Sequence, residues 1–600
     1  MNYPQALSVA IDSMSKYEPR STTHRRRDAL VIGVAILVMS VVYALAMFRG
    51  LEPHPAYAGN AYFAIHPGSF PRDPFLFLGK PNMVSLYYRL VSIVGDWWLD
   101  DRFTMLVFVV MTAASLIGLD KTVRLFGARH VLERLALMAL LLLEHRILDN
   151  HAILVDNYEF NPTAFAAPFI IWLLYASLAG SRLWVVLPLV AVSCGLSLKN
   201  GWLPAVIALV LLWDRLGPKA RRLAGIGLLG VLIAGFATYY AAFRPADGTH
   251  VKLFDYIVRQ LDNSEANPFL CPLINNLVFL ALCGAGVMVR GLPAAVQPRA
   301  RTVAGLGLAA WLFGGLYLSY APDAIKIPHL VLFDVTRGLC WPQYVIYVAL
   351  GVSLLKSLQA ARSPWLAIGS WAALMTLYVW HLEIRIKLIA MIAVATLALL
   401  LFQWLRRAQS GSSRPAQWME RWTPGVRLQL AALAMVVGTL SLYSIGTIHH
   451  RLKALGVLMR QGVMGDNGTA KWIGVDTYLR RRTSPSATVL ALALDRSGAL
   501  ELDETLRTRS GRSIPVGHPS AFALDYAKLQ WWFGQEAHAT QLTKAWTRHD
   551  AAGVVQHLSA LGSPDYLVVP NGQAQWLLET TAFPYHHEVT LSQFTILRND

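Results

Sequence analysis

The chain has 600 residues, of which 55% are hydrophobic and only 15% are charged, and its mean hydropathy is +0.42. This composition excludes an ordinary soluble enzyme and indicates a protein that lies mostly in a lipid bilayer, with membrane lipids as partners. The net charge of +17 would suit a nucleic-acid-binding face, but the Lys and Arg residues cluster in short segments between apolar runs, so we expect no nucleic acid partner.

The amino-terminal segment, residues 1–28, is predicted to be cytoplasmic. Arg25, Arg26 and Arg27 precede an apolar run from Ala29 to Phe48, which is too long for the core of a cleavable signal peptide. The run is therefore predicted to be a first membrane span that enters from the inside.

Apolar runs long enough to cross a bilayer recur along residues 29–447 and predict a polytopic α-helical module of about 13 spans. The predicted spans are 29–48, 103–119, 131–148, 164–180, 183–198, 201–214, 223–243, 271–289, 302–320, 338–356, 365–380, 385–405 and 428–446. With the amino terminus inside, nearly all of the predicted inside connections are rich in Arg and Lys, in agreement with the positive-inside rule.

The connection between the first two spans, residues 49–102 (the first loop), is far longer than a turn and is predicted to be functional. Its first candidate is Asp73, which lies between Pro71 and Pro74 and follows Arg72. A second outside segment contains Asp156 and Glu159. A carboxylate beside the membrane can act as a base or hold a metal, although each of these residues could instead be solvated or cap a helix.

Cations on the outside are of interest because the positive-inside rule leaves few of them there. Arg337, at the start of a span, can bind a phosphate bidentately, and Lys199 and Lys326 can bind one as point charges. His329 lies in the same outside segment as Lys326. The alternatives are snorkelling to the interface, an ion pair of Arg337 with Asp334, and a simple interfacial anchor at Lys199.

Residues 448–600 (the tail) are more polar and are predicted to form an α/β domain on the outer, periplasmic or extracellular face. The whole chain contains no P-loop, no GxGxxG after a strand, no HExxH and no GxSxG. ATP-driven transport, dinucleotide chemistry and the corresponding hydrolases therefore have no motif support.

The organisation resembles the GT-C superfamily of membrane glycosyltransferases, because of the inside amino terminus, the long first loop with an Asp, the many spans and the outside tail. The segments that carry the likeness are Phe70 to Phe75, Asp334 to Gly338, Trp472 to Pro485 and Ser510 to Arg512. The resemblance implies a bacterial inner-membrane enzyme that moves a sugar from a polyprenyl-phosphate donor to a glycan, lipid or protein acceptor at the outer face.

By the same resemblance Asp73 is the base, with Asp156 and Glu159 as further acidic candidates. The cations Arg337, Lys199, Lys326, His329 and Arg72 are implied substrate-binding residues. Many members of the superfamily have paired acidic residues in the first loop, whereas Asp73 follows Arg72 here. A divalent metal ion is therefore left open as a cofactor.

Two other functions fit the same sequence. A flippase or transporter for lipid-linked glycans would place ionisable residues inside the spans, and a non-catalytic GT-C-like scaffold would tolerate replacement of Asp73. The sugar, the acceptor, the oligomeric state and the role of the tail are not determined by the sequence.

The predicted topology is tested by fusing alkaline phosphatase or green fluorescent protein to the carboxy terminus after Asp600. With an outside tail, the phosphatase fusion is expected to be active and the fluorescent fusion dark. Bright fluorescence together with an inactive phosphatase would mean that the number of spans is even.

Overall fold

A computed structural model describes the protein over most of the predicted spans and of the tail. The described residues are 22–48, 55–70, 72–73, 85–143, 148, 162–213, 216–219, 221–222, 249–256, 258, 267–327, 330, 335–360, 455–456, 458–459, 474–493, 506–507, 510–516, 526–580 and 583–599. Four predicted spans, 223–243, 365–380, 385–405 and 428–446, lie outside these ranges.

The protein is a helical membrane protein, and five of its described helices are long and apolar enough to cross a bilayer. They are α1 (Thr22–Met47), α4 (Asp101–Leu125), α6 (Pro162–Ala179), α11 (Gln297–Tyr320) and α12 (Val335–Ala360). Four shorter apolar helices also coincide with predicted spans: α5 (Val131–Leu143), α7 (Leu183–Leu196), α8 (Leu198–Leu212) and α10 (Leu273–Met288). At 1.5 Å per residue these four are shorter than the roughly 30 Å hydrocarbon core. The total of 13 spans therefore stays a prediction.

The centre of the helical module is α12, which is enclosed on all sides. Trp341, Tyr344 and Tyr347 on this helix are at most 1% exposed, and the helix packs against α8, α10 and α11. Small residues let other helices approach closely: a Cβ at Gly118 of α4 would lie 2.9 Å from the side chain of Ile171 on α6.

A buried ion pair joins α4 to α5. The guanidinium of Arg134 donates two hydrogen bonds of 2.6 Å to the two carboxylate oxygens of Asp120, and both side chains are about nine-tenths buried. The connection between the two helices closes beside this pair, because the Glu133 carboxylate accepts from the backbone N–H of Arg129 and of His130.

The described part of the first loop is folded. It contains α2 (Pro55–Ile65), α3 (Leu86–Val94) and a 3-10 turn at Gly95–Leu99, and α2 packs on α3. The Ser85 hydroxyl donates to the carbonyl of Leu196 at 2.7 Å, and the ring of Tyr87 lies edge-on to that of Phe165. Through these two contacts the first loop rests on the end of α7 and the start of α6.

The described part of the tail is built around a four-stranded sheet in the order β1-β2-β4-β3. Its strands are β1 (Val489–Ala491), β2 (Tyr566–Pro570), β3 (Tyr585–Thr590) and β4 (Phe594–Asn599). The β1–β2 pair is parallel, whereas β4 pairs antiparallel with β2 and β3. Alternate residues of β1 and β2 face two apolar clusters, so both faces of the sheet are covered.

The described helices of the tail are α13 (Val475–Arg482), α14 (Tyr526–Thr547), α15 (Ala551–Ala560) and α16 (Asn571–Leu578). The helix α9 (Thr249–Tyr256), which precedes the tail, packs against α14. The apolar periodicity of the tail sequence predicts one helix from Leu542 to Leu561, but the structure divides this segment between α14 and α15. The chain breaks at 548–550, where His549 has a positive φ and Asp550 caps α15 by accepting from the Gly553 N–H at 3.0 Å.

The buried pair makes a stability prediction. Asp120→Asn leaves Arg134 buried without its counter-charge, which should lower the free energy of unfolding by about 3–5 kcal/mol. Thermal unfolding of the protein in detergent measures the loss. The matched control is Arg102→Gln, because Arg102 pairs with Asp100 at an exposed site and little change is expected there. Equal melting temperatures for the two variants would contradict a stabilising role for the Asp120–Arg134 pair.

Candidate functional site

The first loop and the tail meet at a buried ion pair. Nε of Arg507 lies 2.7 Å from Oδ2 of Asp73, and the two side chains are 1% and 0% exposed. The backbone N–H of Ile514 also donates to Oδ2 of Asp73, at 3.2 Å. Both oxygens of Asp73 are therefore enclosed by the protein, and the carboxylate faces a guanidinium.

The residue before Asp73 makes a second attachment to the tail. The Arg72 guanidinium donates to Oδ2 of Asp565 at 2.7 Å, with both side chains partly exposed. The same oxygen accepts from the N–H and the hydroxyl of Thr488, at 2.7 and 2.9 Å. Because Thr488 and Asp565 directly precede β1 and β2, Arg72 is bound at one end of the parallel β1–β2 pair.

The turn that leads to these residues is held in a strained conformation. Phe70 is 2% exposed and has a φ of 59°, which is rare for a bulky side chain. Its ring lies edge-on to Tyr62, 5.2 Å away, and its carbonyl accepts from the Asp73 N–H at 3.0 Å. Backbone strain of this kind costs about 1–3 kcal/mol and persists where the surroundings fix it.

A second cluster forms where α6, α8 and α12 begin. The amide Nδ2 of Asn200 on α8 donates to the Thr163 hydroxyl on α6 at 3.0 Å. A Cβ at Gly338 of α12 would touch the side chain of Trp202 on α8 at 3.3 Å. Three helix starts are thus in contact, and each carries partial positive charge on its unpaired N–H groups.

Arg337 and Lys199 lie in this cluster, in the first turns of α12 and α8. The Arg337 side chain is 8% exposed, and Lys199 is half-buried. Oδ1 of the buried Asn200 has no hydrogen-bond partner among the described residues. A buried guanidinium, an ammonium and three helix starts together favour an anion such as a phosphate.

Lys326, predicted to bind substrate, instead bridges two carboxylates. Its Nζ lies 3.0 Å from Asp255 on α9 and 3.0 Å from Asp323. Burial lowers the pKa of the Lys326 ammonium, but the hydrogen bonds to Asp255 and Asp323 raise it more, so the pKa lies above its ordinary value. The charge of Lys326 is therefore present at neutral pH and is largely compensated by its two partners.

The structure divides the predicted site residues into groups. Arg72 and Asp73 lie at the tail, Arg337 and Lys199 lie at the helix starts, and Lys326 lies beside α9. Asp156, Glu159 and His329 lie outside the described residues. Within the described ranges, no group of three or more His, Cys, Asp or Glu is placed to hold a metal ion. The catalytic role of Asp73, Asp156 and Glu159 stays a prediction.

Sequence reasoning missed Arg507, Asp565 and Asn200. Arg507 and Asp565 are single charged residues whose partners lie hundreds of residues away in the sequence. The Arg72–Asp565 pair, for example, is separated by 493 residues, so no local sequence pattern indicates it. Asn200 had a weak signal, since it is a polar residue at the junction of two apolar runs next to Lys199.

Because Lys326 bridges Asp255 and Asp323, we expect this ion pair to stabilise the position of α9. Lys326→Met should speed amide hydrogen exchange in residues 249–256 by about two- to fivefold, as expected for partly exposed ion pairs. Because the pKa of Lys326 is raised, its contribution is fully present below the ordinary lysine value and is lost only as the pH rises through the higher folded value. The effect should therefore be equal at pH 6 and pH 8.

Lys252→Met, at an exposed position of the same helix, is the matched control and should leave the exchange unchanged. Equal exchange rates in the Lys326 variant and the unaltered protein would mean that apolar packing, such as that of Phe254 on Tyr317, is enough to hold α9.

No protein-family model and no curated protein matches the sequence. The solved structures that are similar to the chain include two of ArnT from Cupriavidus metallidurans. The one bound to undecaprenyl phosphate is 14% identical, with 95% of this chain and 98% of that chain covered and a TM-score of 0.40. The apo form is 12% identical, with 96% and 98% covered and a TM-score of 0.42. This likeness covers nearly the whole length of the chain, and the roles of its residues are inferred below from its own contacts.

Proposed function

We propose that the chain is a glycosyltransferase that moves a sugar from a polyprenyl-phosphate donor to a glycan, lipid or protein acceptor at the outer face of a bacterial inner membrane. The observation that carries the proposal is the burial of Arg337 where α6, α8 and α12 begin together. A phosphate at headgroup depth would meet a guanidinium, the Lys199 ammonium and helix-start N–H groups there.

The reaction is a displacement at the anomeric carbon of the donor sugar. The acceptor oxygen forms the new bond to that carbon as the bond to the lipid phosphate breaks, and the released phosphate carries the extra negative charge. Arg337 and Lys199 stabilise that charge as it develops. Because the lipid phosphate is itself the leaving group, no nucleotide is needed on the outside, which agrees with the missing nucleotide motifs.

The proton of the acceptor hydroxyl needs a carboxylate that can reach it. Asp73, the first candidate from the sequence, has both oxygens enclosed at the junction with Arg507. We therefore place Asp156 and Glu159 ahead of Asp73 as the base. Lys326 is not needed for the leaving phosphate, since its charge is already compensated by Asp255 and Asp323, and the place of His329 stays open.

The proposal is tested with membranes that contain the full chain. Polyprenyl-phosphate donors with a radiolabelled sugar are added one at a time, and transfer of the label from the donor to an acceptor is measured. Arg337→Gln should lower the initial rate on the order of a hundredfold, the usual effect of removing one donor to a developing anion. Arg89→Gln, which removes an exposed guanidinium from α3 of the first loop, is the matched control and should leave the rate unchanged.

Asp156→Asn and Glu159→Gln in the same assay separate the two base candidates. Transfer that survives Arg337→Gln would contradict the phosphate role of this residue while keeping the enzyme. If the unaltered chain transfers sugar from none of the donors, the glycosyltransferase proposal fails, and the flippase and scaffold alternatives take its place.

A further inference from the structure

We propose that Arg507 is a positioning residue, through which the tail fixes the first loop over the starts of α6 and α8, and that Asp73 is the anchor of this contact and not a proton acceptor. The effect on transfer rests on the proposed function. The contact itself, here called the loop–tail junction (Tyr62, Phe70, Arg72 and Asp73 with Arg507, Gly511, Ile514 and Asp565), is measurable without it.

The first step of the inference is the burial of two opposite charges. Asp73 and Arg507 are 0% and 1% exposed and 2.7 Å apart. A charge enclosed in this way is strongly disfavoured without its partner. Any arrangement in which the first loop slides or rotates on the tail would leave both charges buried and unpaired, so the pair selects one register.

The second step is that consecutive residues bind different parts of the tail. Asp73 binds Arg507 and the N–H of Ile514, whereas Arg72 binds Asp565, which precedes β2. Thr488, which shares Asp565 with Arg72, forms a bridge with Ser513, the neighbour of Ile514. Two attachments on one framework fix the direction of the loop as well as its position.

The third step is a close contact that only glycine permits. Gly511 has a φ of +66°, and a Cβ at this position would lie 2.9 Å from the hydroxyl oxygen of Tyr62 on α2. Tyr62 in turn packs against Phe70, whose backbone is held with a positive φ. The strained turn before Arg72 is therefore braced from the tail side as well as from within the first loop.

The fourth step is the continuous packing that connects the loop–tail junction to the cluster at the starts of α6, α8 and α12, where the donor phosphate is proposed to bind. The helix that carries Tyr62, α2, packs on α3. At the start of α3, Ser85 donates to the carbonyl of Leu196, and Tyr87 packs on Phe165. Leu196 and Phe165 lie within a few residues of Asn200 and Thr163, so a displaced first loop disturbs the place where the donor phosphate is proposed to bind.

The experiment compares a broken pair with an apolar replacement of the whole pair in the full-length protein. Arg507→Met and Asp73→Leu each leave one buried charge alone, whereas the double variant Asp73→Leu/Arg507→Met removes both charges at similar volume, a change that buried pairs tolerate. Amide hydrogen exchange of residues 60–73 measures how firmly the first loop is held at the loop–tail junction, and sugar transfer measures the activity of the proposed site. Arg507→Lys, which keeps the charge, should retain most of both.

We expect each single variant to speed exchange in residues 60–73 and to lower kcat more than it raises KM, with a loss of transfer on the order of a hundredfold, as misplacement of a catalytic arrangement produces. The double variant should recover both slow exchange and most of the transfer. That recovery is impossible if Asp73 supplies a carboxylate to the reaction.

Two results would overturn the inference. If exchange in residues 60–73 is unchanged in Arg507→Met, the pair does not hold the loop. If the double variant regains slow exchange but stays inactive, Asp73 is the base after all. Should the unaltered protein transfer no sugar, the proposed function fails, while the exchange data still decide whether the junction depends on the pair.

Discussion

The buried pair of Asp73 and Arg507 is the interaction on which the arrangement of the outside parts depends. Each partner belongs to a different part of the chain, and neither is exposed to solvent. A carboxylate and a guanidinium are placed in such surroundings only when they meet, because each alone is far less stable than in water. The pair therefore penalises any placement of the first loop on the tail that would separate the two buried charges.

The cluster at the starts of α6, α8 and α12 follows from a different constraint, which is that a helix leaves its first N–H groups without hydrogen-bond partners inside the helix. At the starts of α6 and α8 the polar side chains bind each other, since the Asn200 amide donates to the hydroxyls of Thr163 and Ser197. Arg337 adds a full positive charge at the same place. A buried guanidinium beside three helix starts is suited to an anion, and a lipid phosphate at headgroup depth is an anion that this position can meet.

The positions of the described apolar spans could be predicted from the sequence because the length of an apolar run is a local property. Each described span overlaps a predicted one, as 183–198 and 201–214 overlap α7 and α8, with ends shifted by a few residues. The sequence also placed Arg337 and Lys199 at span starts. The first loop was predicted to be functional because of its length, and its helices α2 and α3 were not predicted, although its Ala-rich stretch after Pro55 is typical of a helix start.

The role of Asp73 could not be predicted in the same way. Pro71 and Pro74 flank it in the sequence and restrict its backbone, but a constraint on the backbone is equally consistent with a base and with an anchor. The information that separates these roles lies at Arg507 and Ile514, the latter 441 residues away. A single sequence does not indicate such a pairing, because Asp73 and Arg507 come together only in the folded chain.

A polar junction has an advantage over an apolar one at this place. An apolar contact between the first loop and the tail, beside a bilayer, would compete with lipid and would tolerate sliding, since the hydrophobic effect has no direction. An ion pair that is dry on both sides adds little net stability, because desolvation offsets most of the attraction, yet it penalises every other register. The protein thus uses charge at the junction for the same purpose as the Asp120–Arg134 pair between α4 and α5, which is to specify one arrangement of neighbours where apolar packing alone would allow several.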